Sequence, residues 1–186
     1  MDKNMDKNIA VFLDRDGVIN EDTGYVYKIE DFKVIPGVMD ALRRLQSKGF
    51  KLMIVTNQAG IAKGYYTLQD FQNLNSYMLG LFEKESIKID KVYFCPHGSG
   101  DNCECRKPKI KFIKEAEKEF NLDLEKCWAI GDKMSDIEMG ENAGCKTILI
   151  DSRYVQDVSL KNTPKLKNLY GAVEYIEIFD NYGAGL

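Results

Sequence analysis

The stretch that decides the fold is residues 9–20, IAVFLDRDGVIN, in which five apolar residues end at two aspartates and a glycine. Such a run is typical of a strand that is buried on both faces of a parallel sheet. Because side chains alternate along an extended chain, we expect Asp14 and Asp16 to point the same way at the carboxyl edge of the sheet. Two converging carboxylates repel each other unless a cation or a proton lies between them, so the segment predicts a Mg²⁺ site. The alternative is an ordinary Asp-Gly turn that leaves a strand.

Further apolar runs alternate with helical patterns along the chain and predict the rest of the fold. The runs lie at residues 52–55, 92–94, 128–130 and 147–150. Between them, apolar residues recur at spacings of three and four, as on the buried face of a helix. This alternation predicts an α/β fold with a doubly wound parallel sheet. Residues 171–179 fit either a helix or a strand.

Length and charge narrow the class of protein. The chain has 186 residues, and we expect a disordered tail at residues 1–8 and one domain at residues 9–186 without a large cap insert. Its 26 Lys and Arg against 29 Asp and Glu give a net charge of −3, which disfavours a nucleic-acid partner. No apolar run approaches the ~20 residues of a membrane span, and the N-terminus is too polar for a signal peptide. We therefore expect a cytoplasmic protein without a membrane partner.

Polar residues follow the second and the fourth apolar run, at the sheet edge where doubly wound proteins bind ligands. Residues 56–60, TNQAG, combine a hydroxyl, an amide and successive backbone N–H groups, which suit a phosphate cradle but also occur in ordinary loops. Asp132 reaches the same edge as Asp14 and Asp16 and completes an all-oxygen site for Mg²⁺. Asp136 either supports the metal or caps the following helix.

Three cysteines and the one histidine of the chain form a compact motif, Cys-x-His-x5-Cys-x-Cys, within the loop 95–105. These four soft or borderline ligands predict one tetrahedral Zn²⁺, with reduced cysteines and an incidental histidine as the alternative. Because every position of the ion is filled by protein, the zinc is expected to be structural. The ligands are Cys95, His97, Cys103 and Cys105. The cations that follow the loop, Arg106 and Lys107, are then held where a phosphate dianion can use them.

Together these motifs resemble those of the haloacid dehalogenase superfamily of phosphatases. The shared features are Asp-x-Asp-Gly after the first strand, Thr after the second, Lys before a helix and Gly-Asp-x3-Asp after the fourth. More narrowly, the chain resembles the group of these phosphatases that acts on heptose bisphosphate and histidinol phosphate. The matching segments are FLDRDGVIN (12–20), GYVYKIEDF (24–32), VTNQAGIAKGYY (55–66), CPH (95–97) with CECRKPK (103–109), and GDKMSD (131–136). The resemblance implies a Rossmann-like fold and a phosphatase that works through an aspartyl-phosphate.

The resemblance also implies a role for each matching residue. The catalytic residues would be the nucleophile Asp14, the general acid and base Asp16, and Thr56 and Lys107, which stabilise the transferring phosphoryl group. Mg²⁺ would be bound by Asp14, the backbone carbonyl of Asp16, and Asp132, with Asp136 behind them. The substrate-binding residues would be Asp22, Thr23, Gly24, Tyr25, Asn57, Gln58, Ala59, Arg106 and Lys133.

The substrate implied by the resemblance is a small phosphorylated sugar, bound by a monomer. Residues 22–25 and 59–64 look more like those of the heptose bisphosphate enzymes, whereas the short loop 95–105 looks like that of the histidinol-phosphate enzymes. Three alternatives stay open. A polynucleotide 3′-phosphatase shares the aspartate motifs, a zinc-stabilised nucleic-acid module would use residues 106–111, and a scaffold without catalysis would keep the acidic cluster at a cost.

Overall fold

Six parallel strands form the centre of the computed structural model, which describes residues 7–156, 160 and 162–182. The strands are β1 (Ala10–Leu13), β2 (Lys51–Asn57), β3 (Lys91–Cys95), β4 (Trp128–Gly131), β5 (Lys146–Ile150) and β6 (Lys165–Leu166). Their order in the sheet is β3-β2-β1-β4-β5-β6, with every pair parallel. The chain therefore winds outward from β1 to β3 and then crosses back to β4, which confirms the doubly wound sheet.

Five helices cover the two faces of the sheet. They are α1 (Val38–Ser47), α2 (Leu68–Lys84), α3 (Lys111–Phe120), α4 (Met134–Ala143) and α5 (Leu169–Tyr182). The apolar sides of α1, α2 and α5 pack on one face, and those of α3 and α4 pack on the other. The segment 171–179 is thus helical, because Leu169, Ala172, Val173 and Ile176 form one buried stripe at helical spacing.

The central strand β1 contributes to both cores. Val11 and Leu13 belong to the core beneath α1, α2 and α5, whereas Ala10 and Phe12 belong to the core beneath α3 and α4. All four side chains are at most 1% exposed, which explains why the strand reads as a continuous apolar run. The same strand ends at the aspartate motif and so fixes the position of Asp14 between β2 and β4.

The N-terminal segment forms backbone hydrogen bonds at Asn8, whereas the sequence predicts a disordered tail over residues 1–8. Residues 1–6 of the expected tail lie outside the described residues, but the backbone N–H of Asn8 donates to the carbonyl of Asn121 at 2.9 Å. The carbonyl of Asn8 in turn accepts from the N–H of Asp123 at 2.9 Å. The expected tail therefore ends before Asn8. Among the described residues, no helix combines the length and the apolar character that crossing a membrane requires.

Replacing Phe12 tests the importance of β1. We expect Phe12→Ala to lower the free energy of unfolding by about 3–5 kcal/mol, because it leaves a cavity in a core that cannot collapse around it. Ile178→Ala is the control, since Ile178 is 43% exposed on α5, and it should change the free energy by about 0.5 kcal/mol or less. Urea denaturation followed by circular dichroism measures both. Equal effects of the two substitutions would contradict the assignment of Phe12 to the core.

Candidate active site

The loops that follow the carboxyl ends of the strands surround a cavity of about 310 Å³. Most of the site residues expected from the sequence line it: Asp14, Asp16, Asp22, Gly24, Tyr25, Thr56, Asn57, Gln58, Ala59, Arg106, Lys107, Lys133 and Asp136. Asp132 lies buried beside the cavity, whereas Thr23 is exposed and does not line it. The sheet edge therefore brings together side chains from four separate loops, as the doubly wound topology requires.

A buried lysine joins two of the aspartates at the floor of the cavity. Lys107 Nζ lies 2.9 Å from Asp14 Oδ1 and 2.6 Å from Asp136 Oδ1, and it donates to the carbonyl of Val55 at 2.7 Å. Burial by itself would lower the pKa of Lys107, but the carboxylates of Asp136 and Asp14 raise it above its ordinary value. The ammonium group is therefore charged and lies within 3 Å of three oxygen acceptors.

Asp132 completes an acidic cluster with an unbalanced charge. Carboxylate oxygens of Asp14, Asp132 and Asp136 all lie within 4.8 Å of one another. Burial, and then the charge of Asp14, raise the pKa of Asp132 to about 7. Lys133 Nζ lies 3.2 Å from Asp132 Oδ1, but the buried Oδ2 has no hydrogen-bond partner among the described residues. Gly17, with a φ of +92°, faces this oxygen, and a Cβ there would collide with it. The donor set and the orphaned oxygen fit a hard divalent cation.

The second aspartate of the motif has different hydrogen-bond partners from the first. Asp16 accepts from Arg15 Nη2 at 2.9 and 3.0 Å, from Asn20 Nδ2 at 3.0 Å and from Gln58 Nε2 at 3.1 Å. Both carboxylates line the same cavity, but strand alternation is not what places Asp16 there. Strand β1 ends at Leu13, and Asp16 lies in a turn closed by a bridge to Asn20, so strand alternation no longer applies. The buried Arg15 guanidinium balances the carboxylate of Asp16.

The residues after β2 hold other site residues in place. Gln58 Nε2 also donates to Thr56 Oγ1 at 2.8 Å, and the hydroxyl of Tyr66 donates to Gln58 Oε1 at 2.5 Å. Asn57 Oδ1 accepts from the backbone N–H of Lys107 at 3.1 Å, and Asn57 Nδ2 donates to the carbonyl of Lys107 at 3.4 Å. The amide side chains of this segment therefore position Lys107, Thr56 and the Asp16 carboxylate.

A second ion pair lies at the side of the cavity. Lys133 Nζ lies 3.3 Å from Asp22 Oδ2, which also accepts from the Tyr154 hydroxyl at 3.0 Å. The ammonium group of Lys133 stands 4.6 Å from the centre of the Tyr154 ring. Burial alone would raise the pKa of Asp22, but the charge of Lys133 and the surrounding hydrogen bonds lower it below its ordinary value. Three loops, those after β1, β4 and β5, are thus joined at Asp22.

The expected zinc ligands converge on one point beside the cavity. Cys95 Sγ lies 3.7 Å from Cys103 Sγ and 3.2 Å from Cys105 Sγ, and His97 Nδ1 lies 3.5 Å from Cys95 Sγ and 3.3 Å from Cys105 Sγ. Ligand atoms around a tetrahedral zinc are separated by roughly 3.5–3.8 Å, so the cluster fits the ion after small shifts. Burial, followed by the hydrogen bond with Cys105, raises the pKa of the Cys95 thiol to about 12, whereas a bound metal ion would favour the thiolate.

Sequence reasoning missed several residues that line the cavity: Lys63, Tyr66, Ser99, Ser135 and Tyr154. Tyr154 follows the apolar run that became β5, so the sheet-edge rule could have indicated it. Lys63 and Tyr66 stand inside the segment 55–66, but nothing in their spacing distinguishes them from ordinary surface residues.

The haloacid dehalogenase-like hydrolase family matches residues 4–144 of the chain. The match covers well over half of the sequence. It includes β1, β2 and β4 together with the segments after them, which carry the acidic cluster and the polar residues that follow β2. The chain belongs to the haloacid dehalogenase-like hydrolases.

Individual relatives of the chain within this family have names that agree on a heptose 1,7-bisphosphate as the substrate. The chain is 50% identical over 144 residues to a D-glycero-alpha-D-manno-heptose-1,7-bisphosphate 7-phosphatase of Campylobacter jejuni, a match that covers 77% of this chain and 83% of the relative. It is 47% identical over 147 residues to a D-glycero-beta-D-manno-heptose-1,7-bisphosphate 7-phosphatase of Helicobacter pylori, covering 78% of this chain and 85% of the relative. Its fold is similar, with a TM-score of 0.84 and 26% identity, to a D,D-heptose 1,7-bisphosphate phosphatase of B. bronchiseptica complexed with magnesium and phosphate. That match covers 91% of this chain and 98% of the other.

The role of Lys107 in balancing the acidic cluster can be measured as stability. We expect Lys107→Met to lower the free energy of unfolding by about 3–5 kcal/mol in EDTA, because it leaves buried carboxylates without their cation. Lys118→Met is the matched control, since Lys118 lies exposed on α3, and it should cost about 0.5 kcal/mol or less. Equal stability of the two variants in urea denaturation would show that the ammonium group does not balance the cluster.

Proposed function

We propose that the protein is a Mg²⁺-dependent phosphatase that hydrolyses the 7-phosphate of D-glycero-D-manno-heptose 1,7-bisphosphate. The observation that carries the reaction class is the Asp14 carboxylate, held by Lys107 on the floor of an open cavity beside Asp132 and Asp136. The observation that supports the substrate is the identity of 50% over 144 residues to an enzyme named for it. A role in supplying nucleotide-activated heptose for surface polysaccharide follows from that substrate.

The hydrogen bonds to Asp14 leave one of its oxygens for the attack. Oδ1 accepts from the backbone N–H of Arg15 at 2.8 Å and lies 2.9 Å from Lys107 Nζ. Oδ2 is then the oxygen that forms a bond to phosphorus, while the bond from phosphorus to the sugar oxygen breaks. Lys107 and the hydroxyl of Thr56 stabilise the negative charge of the transferring group. The product of this step is an aspartyl-phosphate, which divides one difficult hydrolysis into two easier steps.

Asp16 moves the protons of both steps. It first donates a proton to the departing sugar oxygen, and it then accepts a proton from the water whose oxygen attacks the aspartyl-phosphate. That attack releases inorganic phosphate and regenerates the Asp14 carboxylate. Arg15, Asn20 and Gln58 hold the Asp16 carboxylate at the cavity wall between these steps.

Two metal sites belong to this proposal. Asp14, Asp132 and the backbone carbonyl of Asp16 would hold Mg²⁺, with Asp136 behind them. When bound, the ion offsets the negative charge of the phosphate group against the carboxylates that surround it. Cys95, His97, Cys103 and Cys105 would hold a structural Zn²⁺ that keeps the loop before Arg106 and Lys107 in one conformation.

Phosphate release from two substrates tests the proposed function directly. With Mg²⁺ present, we expect hydrolysis of the heptose bisphosphate to exceed that of histidinol phosphate by about 100-fold or more in kcat/KM, or roughly 2.7 kcal/mol. The reverse preference would assign the enzyme to histidinol phosphate. A faster reaction with a 3′-phosphorylated oligonucleotide than with either would assign it to nucleic-acid ends.

Removing the nucleophile should abolish turnover without unfolding the protein. Asp14→Asn keeps the size and shape of the side chain but lacks the charge needed to attack phosphorus, so we expect no phosphate release above background. Asp40→Asn, on the exposed surface of α1, is the control and should keep full activity. Circular dichroism verifies that both variants are folded. Substantial turnover by Asp14→Asn would rule out the aspartyl-phosphate.

The two metals should differ in how firmly they are held. We expect elemental analysis to find about one zinc ion per chain after mild chelation, because four protein ligands close the site. Phosphate release should stop in EDTA and return when Mg²⁺ is added. Cys103→Ser should lower the zinc content. A protein without zinc, or full activity in EDTA, would contradict the respective assignment.

A further inference from the structure

We propose that Lys63 and Arg106 form a second anion subsite, which binds the phosphate group of the substrate that is not hydrolysed. The inference rests on the proposed function, since it concerns a sugar that carries two phosphates. It assigns a binding role to Lys63 and a specific target to Arg106, and it explains how the cavity would prefer a bisphosphate to a monophosphate.

The pairing of charges around the cavity separates its cations into two kinds. Four lysine and arginine side chains line it: Lys63, Arg106, Lys107 and Lys133. Lys107 is paired with Asp14 and Asp136, and Lys133 is paired with Asp132 and Asp22. Within the part of the chain that the structure describes, neither Lys63 nor Arg106 forms an ion pair with a carboxylate. These two cations are therefore available to an anionic ligand.

The backbone brings the two available cations to the same side of the cavity. The N–H of Gln58 donates to the carbonyl of Cys95 at 2.7 Å, and the N–H of Ala62 donates to the carbonyl of Pro96 at 3.2 Å. The loop with Lys63 is thus joined to the loop that ends at Arg106. The guanidinium of Arg106 is anchored there, since its Nη1 donates to the carbonyl of His97 at 3.1 Å. Its remaining N–H groups are free to bind a phosphate.

Neutral partners orient Lys63 without cancelling its charge. Its Nζ donates to the hydroxyl of Tyr25 at 2.6 Å and stands 5.2 and 5.9 Å from the ring centres of Tyr25 and Tyr65. The two rings pack edge to face at 4.8 Å. The hydrogen bond that Lys63 donates to Tyr25 raises the pKa of Lys63, whereas the positive charge of Arg106 opposes that rise, as expected of neighbouring cations. A phosphate between them would relieve this repulsion.

The two ends of the cavity then suit the two ends of a sugar bisphosphate. One phosphate reaches Asp14 and Lys107 at the floor, and the other reaches Lys63 and Arg106 at the mouth, which line the same cavity of about 310 Å³. The sugar lies between them, beside the ring of Tyr25. Recognition of the second phosphate would raise the affinity for the bisphosphate without any change in the chemistry at the floor.

The test compares two substrates that differ by one phosphate. We measure kcat/KM for the heptose 1,7-bisphosphate and for the same sugar that carries only the 7-phosphate, in the wild type and in Lys63→Gln. We expect Lys63→Gln to reduce the ratio of the two values by about tenfold or more, mainly through KM for the bisphosphate, because a charge-assisted hydrogen bond is lost. Lys63→Arg should restore the ratio to within about threefold of the wild type. A ratio that does not change, or an equal loss on both substrates, would overturn the assignment.

A binding measurement separates this inference from the proposed function. In the Asp14→Asn background, which cannot turn over either substrate, calorimetry should give a tighter Kd for the bisphosphate than for the 7-phosphate by about tenfold or more. Adding Lys63→Gln should remove most of that difference, whereas adding Lys84→Gln, on the exposed end of α2, should preserve it. Hydrolysis without this difference would leave the phosphatase standing and refute the subsite. The difference without hydrolysis would leave the subsite standing and refute the phosphatase.

Discussion

The structure depends on one electrostatic constraint, the crowding of carboxylates at the carboxyl edge of the sheet. Asp14, Asp132 and Asp136 lie with their oxygens within 4.8 Å of one another, almost without access to water. Like charges in such a place repel strongly, which is why burial and Asp14 raise the pKa of Asp132 to about 7. Lys107 reduces this repulsion, because its ammonium group contacts the carboxylates of Asp14 and Asp136 at once. The charge that it leaves unbalanced fits a divalent cation.

The position of Lys107 in turn depends on a loop without regular structure. Lys107 follows Cys105 by two residues, and the cluster of Cys95, His97, Cys103 and Cys105 ties that loop to the end of β3. The side chain of Asn57 holds the backbone of Lys107 from the neighbouring strand. A buried cation on a loop needs this kind of support, since a long lysine side chain loses conformational entropy when it is held in one place. The cysteine cluster thus supports the candidate active site, although its residues are separate from those of the acidic cluster.

The sequence predicted the strands, the acidic edge and the cysteine cluster because each leaves a local signal. A strand that is buried on both faces appears in the sequence as an apolar run, and metal ligands with a fixed spacing appear as a motif. The hydrogen-bond partners of Asp16 left no such signal. They are Arg15, Asn20 and Gln58, of which Gln58 lies 42 residues away in the chain. Lys63 was missed for the same reason, since its partner Tyr25 is distant in sequence.

By itself, the sequence determined the class of fold, the strands β1 to β5 with the helices α1 to α4, and the identity of the residues at the sheet edge. Hydrophobic periodicity and ligand spacing are properties of residues that are close in sequence, so they can be recognised from the sequence alone. Only the tertiary structure decided which charges are paired. Lys107 and Lys133 are paired with carboxylates that the chain brings from other loops, whereas Lys63 and Arg106 have no such partner among the described residues. That distinction arises from the packing of loops in three dimensions, because an ion pair depends on distance in space and not on separation along the chain.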